Sequence, residues 1–153
     1  MNSLYFEDIS VGDRFTSLGR TICEADFVNF AGVSGDFSPL HVDEEFGKTT
    51  VFGGRIAHGL LTLSVAQGLL SQLATFKTTV VALLRMKNVG FLAPVRVGDT
   101  IHAELVIKGK KKTKRRDQGL VSAIVSVKNQ RNTKVLTLDY DILVRTRPWR
   151  AKR

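Results

Sequence analysis

GLLTLSVAQGLLSQLATF, residues 59–76, is the most apolar segment of the chain. Leu60, Leu61, Leu63, Val65, Leu69, Leu70 and Leu73 fall on nearly every side of a 3.6-residue turn, so the spacing predicts a helix apolar around most of its circumference. A helix of this kind is buried rather than laid on a surface. At 1.5 Å per residue it would run for about 27 Å. Thr62, Ser64, Gln67, Ser71 and Gln72 interrupt the run and argue against a membrane span.

Toward the C-terminus the pattern changes period. Residues 79–86, TVVALLRM, form a mostly apolar run. Beyond it, Ile101, Ala103, Leu105 and Ile107 alternate with more polar neighbours. Val121, Ala123, Val125 and Val127 do the same, as do Leu136, Leu138, Tyr140, Ile142 and Val144. Period-two patterning over successive runs predicts antiparallel strands with one buried face. Pro94 and the Val97-Gly98-Asp99 turn separate the first run from the next.

Toward the N-terminus, residues 14–22 (RFTSLGRTI) read as a strand. Residues 23–31 (CEADFVNFA) read as a helix, with Phe27, Phe30 and Ala31 at helical spacing and acids in the first turn. A polar, turn-rich stretch fills the gap up to Gly59. One buried helix and a run of antiparallel strands predict an α+β architecture, a sheet curled around a central helix in a single domain over 1–153.

With 153 residues the chain is long enough for one proper core. Its single cysteine, Cys23, excludes an intrachain disulfide. The opening MNSLYFEDISVGDRF carries acids early and shows no export signal, so the expected compartment is the cytoplasm. The net charge of +9 is local: residues 108–116 (KGKKKTKRR) hold seven basic groups, and residues 145–153 (RTRPWRAKR) hold five. Without those twelve, 11 basic groups face 14 acidic ones, leaving a body of net −3. The first run lies between two strand patterns and reads as a solvated hairpin loop. It lacks the interleaved aromatics that would stack bases, which argues against a nucleic-acid surface. Attraction of an anionic CoA thioester or an acidic acyl carrier protein is the partner reading it leaves open.

The chemistry concentrates in Ser34-Gly35-Asp36-Phe37-Ser38-Pro39-Leu40-His41 and in Phe52-Gly53-Gly54-Arg55-Ile56-Ala57-His58-Gly59. Asp36 supplies a carboxylate, His41 an imidazole, and Gly59 a backbone N–H at a helix start. Pro39 biases Ser38 away from helical geometry, which predicts a non-helical turn from Asp36 to His41. Glycines at 53, 54 and 59 permit close backbone approach. Hydrating an α,β-unsaturated thioester needs a base for the water, an acid for Cα and a donor for the enolate oxygen, and these groups supply all three.

The segment from FAGVSGDFSPLHVDEEFGKTTVFGGRIAHG into the following helix, residues 30 to 75, and FLAPVRVGDTI at 91–101 resemble the MaoC-like dehydratases, which include the (R)-specific enoyl-CoA hydratases. The resemblance implies a hot-dog fold and a homodimer with continuous sheets and interfacial active sites. It implies a trans-2-enoyl-CoA or (R)-3-hydroxyacyl-CoA as substrate, with no cofactor or metal beyond that CoA thioester. It makes Asp36 and His41 the catalytic dyad and the Gly59 amide the oxyanion donor. Ser38 stands where the family usually has Asn, and Cys23 where a helix often has a Ser or Thr cap.

Ser34, Pro39, Gly54, Arg55, His58, Ser64 and Gln67 are candidate substrate-binding positions. For Ser64 and Gln67 the alternative is a satisfied polar group in the core, for Arg55 a surface ion pair, and for His58 a structural role at the helix start. Rival functions are a hot-dog thioesterase, marked by release of free thiol, and a non-catalytic acyl-thioester binding subunit.

Overall fold

The computed structural model describes residues 3–148, so the last five residues of the basic tail lie outside it, as do Met1 and Asn2 of the opening segment. Along the chain come β1 (Arg14–Thr16), β2 (Arg20–Thr21), α1 (Glu24–Ser34), α2 (Pro39–Val42), α3 (Glu44–Thr49) and α4 (Gly59–Ser71). Four long strands follow: β3 (Val80–Phe91), β4 (Thr100–Lys112), β5 (Gln118–Asn129) and β6 (Lys134–Arg145). The sheet runs β1-β4-β5-β6-β3 with every pair antiparallel, and β2 also pairs with β4.

The alternating residues of β4, β5 and β6 all turn inward. Ala103 faces Val127 across the β4–β5 ladder, Leu105 faces Val125, and Val125 faces Leu138 across β5–β6. These side chains form one buried cluster with Leu61, Val65 and Leu69 of α4. Burying a Val or Leu side chain stabilises the folded chain by about 1.5–3 kcal/mol, so this shared face is the main source of stability. The curved antiparallel sheet wrapped on α4 is a hot-dog fold.

Four sequence expectations need correction. Helix α4 stops at Ser71, not at residue 76, because the chain tightens into turns closed by Leu73 N–H to Leu70 O and Phe76 N–H to Leu73 O. Leu73 and Phe76 stay buried all the same, and Phe76 meets Phe15 edge-on with ring centroids 5.0 Å apart. Nor is α4 enclosed on all sides, since Leu60 is 60% exposed and Ser64 lies open. The strand expected over 14–22 is two short pieces, interrupted at residues 17–19. The polar stretch after α1 holds two short helices: Pro39 opens α2 from its first turn, and Asp43 caps α3 by accepting the Phe46 N–H at 3.0 Å.

Strand β3 is hydrogen-bonded on one side only, to β6. Its ladder slips at three points, and none of its residues is buried. Leu84 is 47% exposed and Phe91 53%. The basic run forms the end of β4 and the hairpin turn into β5. Within it Arg115 pairs with Asp117, while the Lys110 ammonium donates to the carbonyls of Phe6, at 2.6 Å, and Ile9. The same ammonium sits 4.4 Å from the Phe6 ring centre. Among the described residues no helix is long and apolar enough to cross a membrane.

Candidate active site

Gly35 ends α1 in a left-handed conformation, φ 73°, and its N–H bonds Ala31 O at 2.9 Å. A glycine takes this conformation without strain, and it turns the chain sharply into Asp36. The Asp36 carboxylate accepts the Ser38 N–H at 3.1 Å and stays half-exposed. Ser38 is extended, as Pro39 demands, and α2 starts immediately after it. His41 therefore stands on a one-turn helix rather than in the non-helical turn the sequence suggests. Its Nδ1 lies 2.7 Å from Ile56 O, so that nitrogen is the donor, and in the neutral ring Nε2 is the acceptor.

His58, the residue before α4, is buried, 3% exposed. Its ring lies 3.8 Å from the His41 ring, centre to centre, tilted by 30°. Its Nε2 is 2.9 Å from the main-chain oxygen of Asp36 and 3.9 Å from the Asp36 carboxylate. Asp36, His41 and His58 bring one ligand-type atom each within 4.8 Å of one another, a spacing that could hold a cation. His41 Nδ1 and His58 Nε2, however, already face backbone carbonyls.

His41 and Gly59 line a cleft of about 400 Å³, walled by Phe52, Ile56, Phe91 and Val95 among others. That volume is in the range of small-ligand sites. Gly59 is the first residue of α4, where a helix leaves N–H groups without intrahelical acceptors. A Cβ at position 59 would sit 2.9 Å from the Phe91 ring, so any side chain there would have to displace that ring. The apolar wall carries no titratable signature. Its one sequence signal is the Phe91–Val95 part of the FLAPVRVGDTI segment.

The remaining candidates lie elsewhere. Ser34 Oγ donates to Phe30 O at 2.6 Å, and Pro39 opens α2. Gly54 is buried in a turn, with its N–H on Gly47 O at 2.9 Å. The Arg55 guanidinium takes Glu24 at 2.8 and 3.0 Å and Glu44 at 3.1 Å, tying α1 to α3. It holds both carboxyls below their usual range, and they raise its own. Ser64 Oγ turns back to Leu60 O at 2.7 Å. Gln67 accepts the Tyr140 hydroxyl at 2.9 Å beside a second, smaller cavity of about 130 Å³. None of these six lines the cleft beside His41 and Gly59.

Residues 9–129 match the family model of the MaoC like domain. The chain belongs to the MaoC-like family. Across 105 residues it is 42% identical to an (R)-specific enoyl-CoA hydratase of Rhodospirillum rubrum, covering 69% of this chain and 70% of that protein. It is 41% identical over 106 residues to protein MaoC of Klebsiella aerogenes, covering 69% of this chain but 31% of that longer protein. In structure, this MaoC-like chain is similar to an Archaeoglobus fulgidus protein described as a monoamine oxidase regulatory protein. The TM-score is 0.87 at 41% identity, over 97% of this chain and 98% of that one.

Proposed function

We propose that this MaoC-like chain interconverts a trans-2-enoyl-CoA and an (R)-3-hydroxyacyl-CoA. The observation that carries the reading is the approach of Asp36 to His41, which lines a cleft together with Gly59, the first residue of α4. One carboxylate oxygen of Asp36 and one ring nitrogen of His41 lie within 4.8 Å of each other, inside the roughly 5.6 Å that a water bonding both at about 2.8 Å can span. The kinship to an (R)-specific enoyl-CoA hydratase adds independent support.

In the hydration direction, the water oxygen bonds Cβ while the dyad takes a proton from it. The C=C electron pair moves through Cα onto the thioester oxygen, where the Gly59 N–H stabilises the enolate. The dyad then returns a proton to Cα, so one water has been added across the double bond. His41 enters with its Nε2 lone pair free to accept, because Ile56 O fixes the proton on Nδ1. The same reading places a second copy of the chain against the unpaired edge of β3 and makes the protein a cytoplasmic homodimer.

Loss of enoyl absorbance with crotonyl-CoA and longer enoyl-CoAs tests the activity. Asp36→Asn and His41→Ala should each lower turnover by about 10²–10⁴-fold. Wild-type turnover in both variants, or release of free thiol in place of hydration, would overturn the reading.

A further inference from the structure

His58 resembles a candidate ligand contact in sequence, but it does not line the cleft. It is also the residue preceding α4, yet its side chain does not cap that helix. Instead the ring is buried between the two halves of the site. One face lies on the His41 imidazole at 3.8 Å, and Phe30 stands 5.1 Å away, centre to centre. The Nε2 edge meets the Asp36 main-chain carbonyl at 2.9 Å. A carbonyl oxygen only accepts, so Nε2 carries a proton. Nδ1 is then left buried with no partner among the described residues. A polar atom kept inside at that cost points to a ring held for what its other atoms do.

We infer that His58 is the positioning residue that sets Asp36 and His41 in register with the Gly59 N–H. The inference rests on the hydratase reading above. Three pieces of the site come from separate stretches of chain: Asp36 follows α1, His41 rides on α2, and Gly59 opens α4. His58 touches the first two and is covalently joined to the third. The hydrogen bond fixes the height of the Asp36 turn. The ring contact fixes the rotation of His41 about its Nδ1 anchor on Ile56. The peptide bond to Gly59 fixes both relative to the helix start. Rotation of His41 would otherwise move Nε2 away from the shared water, and displacements of about 1 Å can cost about 10²-fold in rate.

Three variants divide these tasks. His58→Leu removes donor and ring together, His58→Gln keeps an N–H that reaches Asp36, and His58→Phe keeps the flat face. On crotonyl-CoA, His58→Leu should lose about 10²-fold in kcat with KM within about threefold of wild type. His58→Gln and His58→Phe should each recover part of that loss. Each variant is compared at matched folded fraction, set by circular dichroism and thermal melting. Wild-type kcat in His58→Leu, or a loss confined to KM, overturns the inference and leaves the hydratase reading standing. A wild-type protein inactive on every enoyl-CoA removes both. One readout needs no activity: ¹⁵N-resolved histidine spectra of the wild-type protein should show His58 protonated on Nε2 and His41 on Nδ1. A His58 proton on Nδ1 alone breaks the bond to Asp36 and overturns the inference by itself.

Discussion

Strands β5 and β3 are each twelve residues long, and β3 is the more apolar of the two, yet β5 is buried on alternate residues and β3 on none. The difference lies in their neighbours. β5 has β4 on one side and β6 on the other, with α4 under its inner face. β3 has β6 alone, its ladder slips three times, and no residue along it is enclosed. Apolar content alone therefore does not say where a strand sits. Alternation does, because a strand with one covered face must keep the other polar. A long apolar edge with free N–H and C=O groups is also a site for unwanted pairing, which a second copy of the chain would close.

Val125→Asp places a carboxylate where the side chain is fully enclosed in the apolar cluster. The cost should be several kcal/mol, enough to abolish the folded far-ultraviolet dichroism of this domain. A cooperative melt near the wild-type midpoint would show that β5 is not the core strand described.

A charge on β3 should do less to the fold and more to assembly. Leu84→Lys acts on a side chain that is 47% exposed in the single chain. Sedimentation equilibrium should report the monomer mass, with the melting midpoint reduced by only a few degrees. An unchanged dimer would move the partner away from this edge, and a monomeric wild type would remove the partner altogether.

The smallest expected effect sits on β6, the strand that touches both. Tyr140 is buried, its hydroxyl donates to Gln67, and burial pushes its ionisation above the ordinary phenol range. Tyr140→Phe leaves the Gln67 oxygen without that donor and should cost about 1 kcal/mol in denaturant titrations. No measurable change would mean that water replaces the hydroxyl at the edge of the small cavity.

How much of this was legible depends on which force set each element. β4, β5 and β6 could be read because burial of one face writes a period of two into the sequence. The overrun of α4 has the same origin: Leu73 and Phe76 are buried in turns, and burial marks the residue without recording the backbone shape that puts it there. The short helices α2 and α3 were hidden by polarity, although Pro39 and Asp43 carried ordinary start signals. In the site, Asp36, His41 and Gly59 stood out by residue type and setting. The apolar cleft wall from Phe91 to Val95 did not, because those side chains look like any others until the fold brings them over α4. Arg55 meets the ion-pair reading, though its partners could not be named from sequence, because a free guanidinium and one held by Glu24 and Glu44 are the same letter.

Counted as letters, the seven cations of residues 108–116 are interchangeable. Lys110 is not one of a crowd, since its ammonium is bound by two carbonyls and sits over an aromatic ring. Two of its protons are held by carbonyls, so a reagent must break those contacts to reach the nitrogen. Amine-reactive reagents should therefore label Lys108, Lys111, Lys112 and Lys114 long before Lys110, and the moment Lys110 becomes reactive should report that the N-terminal segment has come away from the sheet.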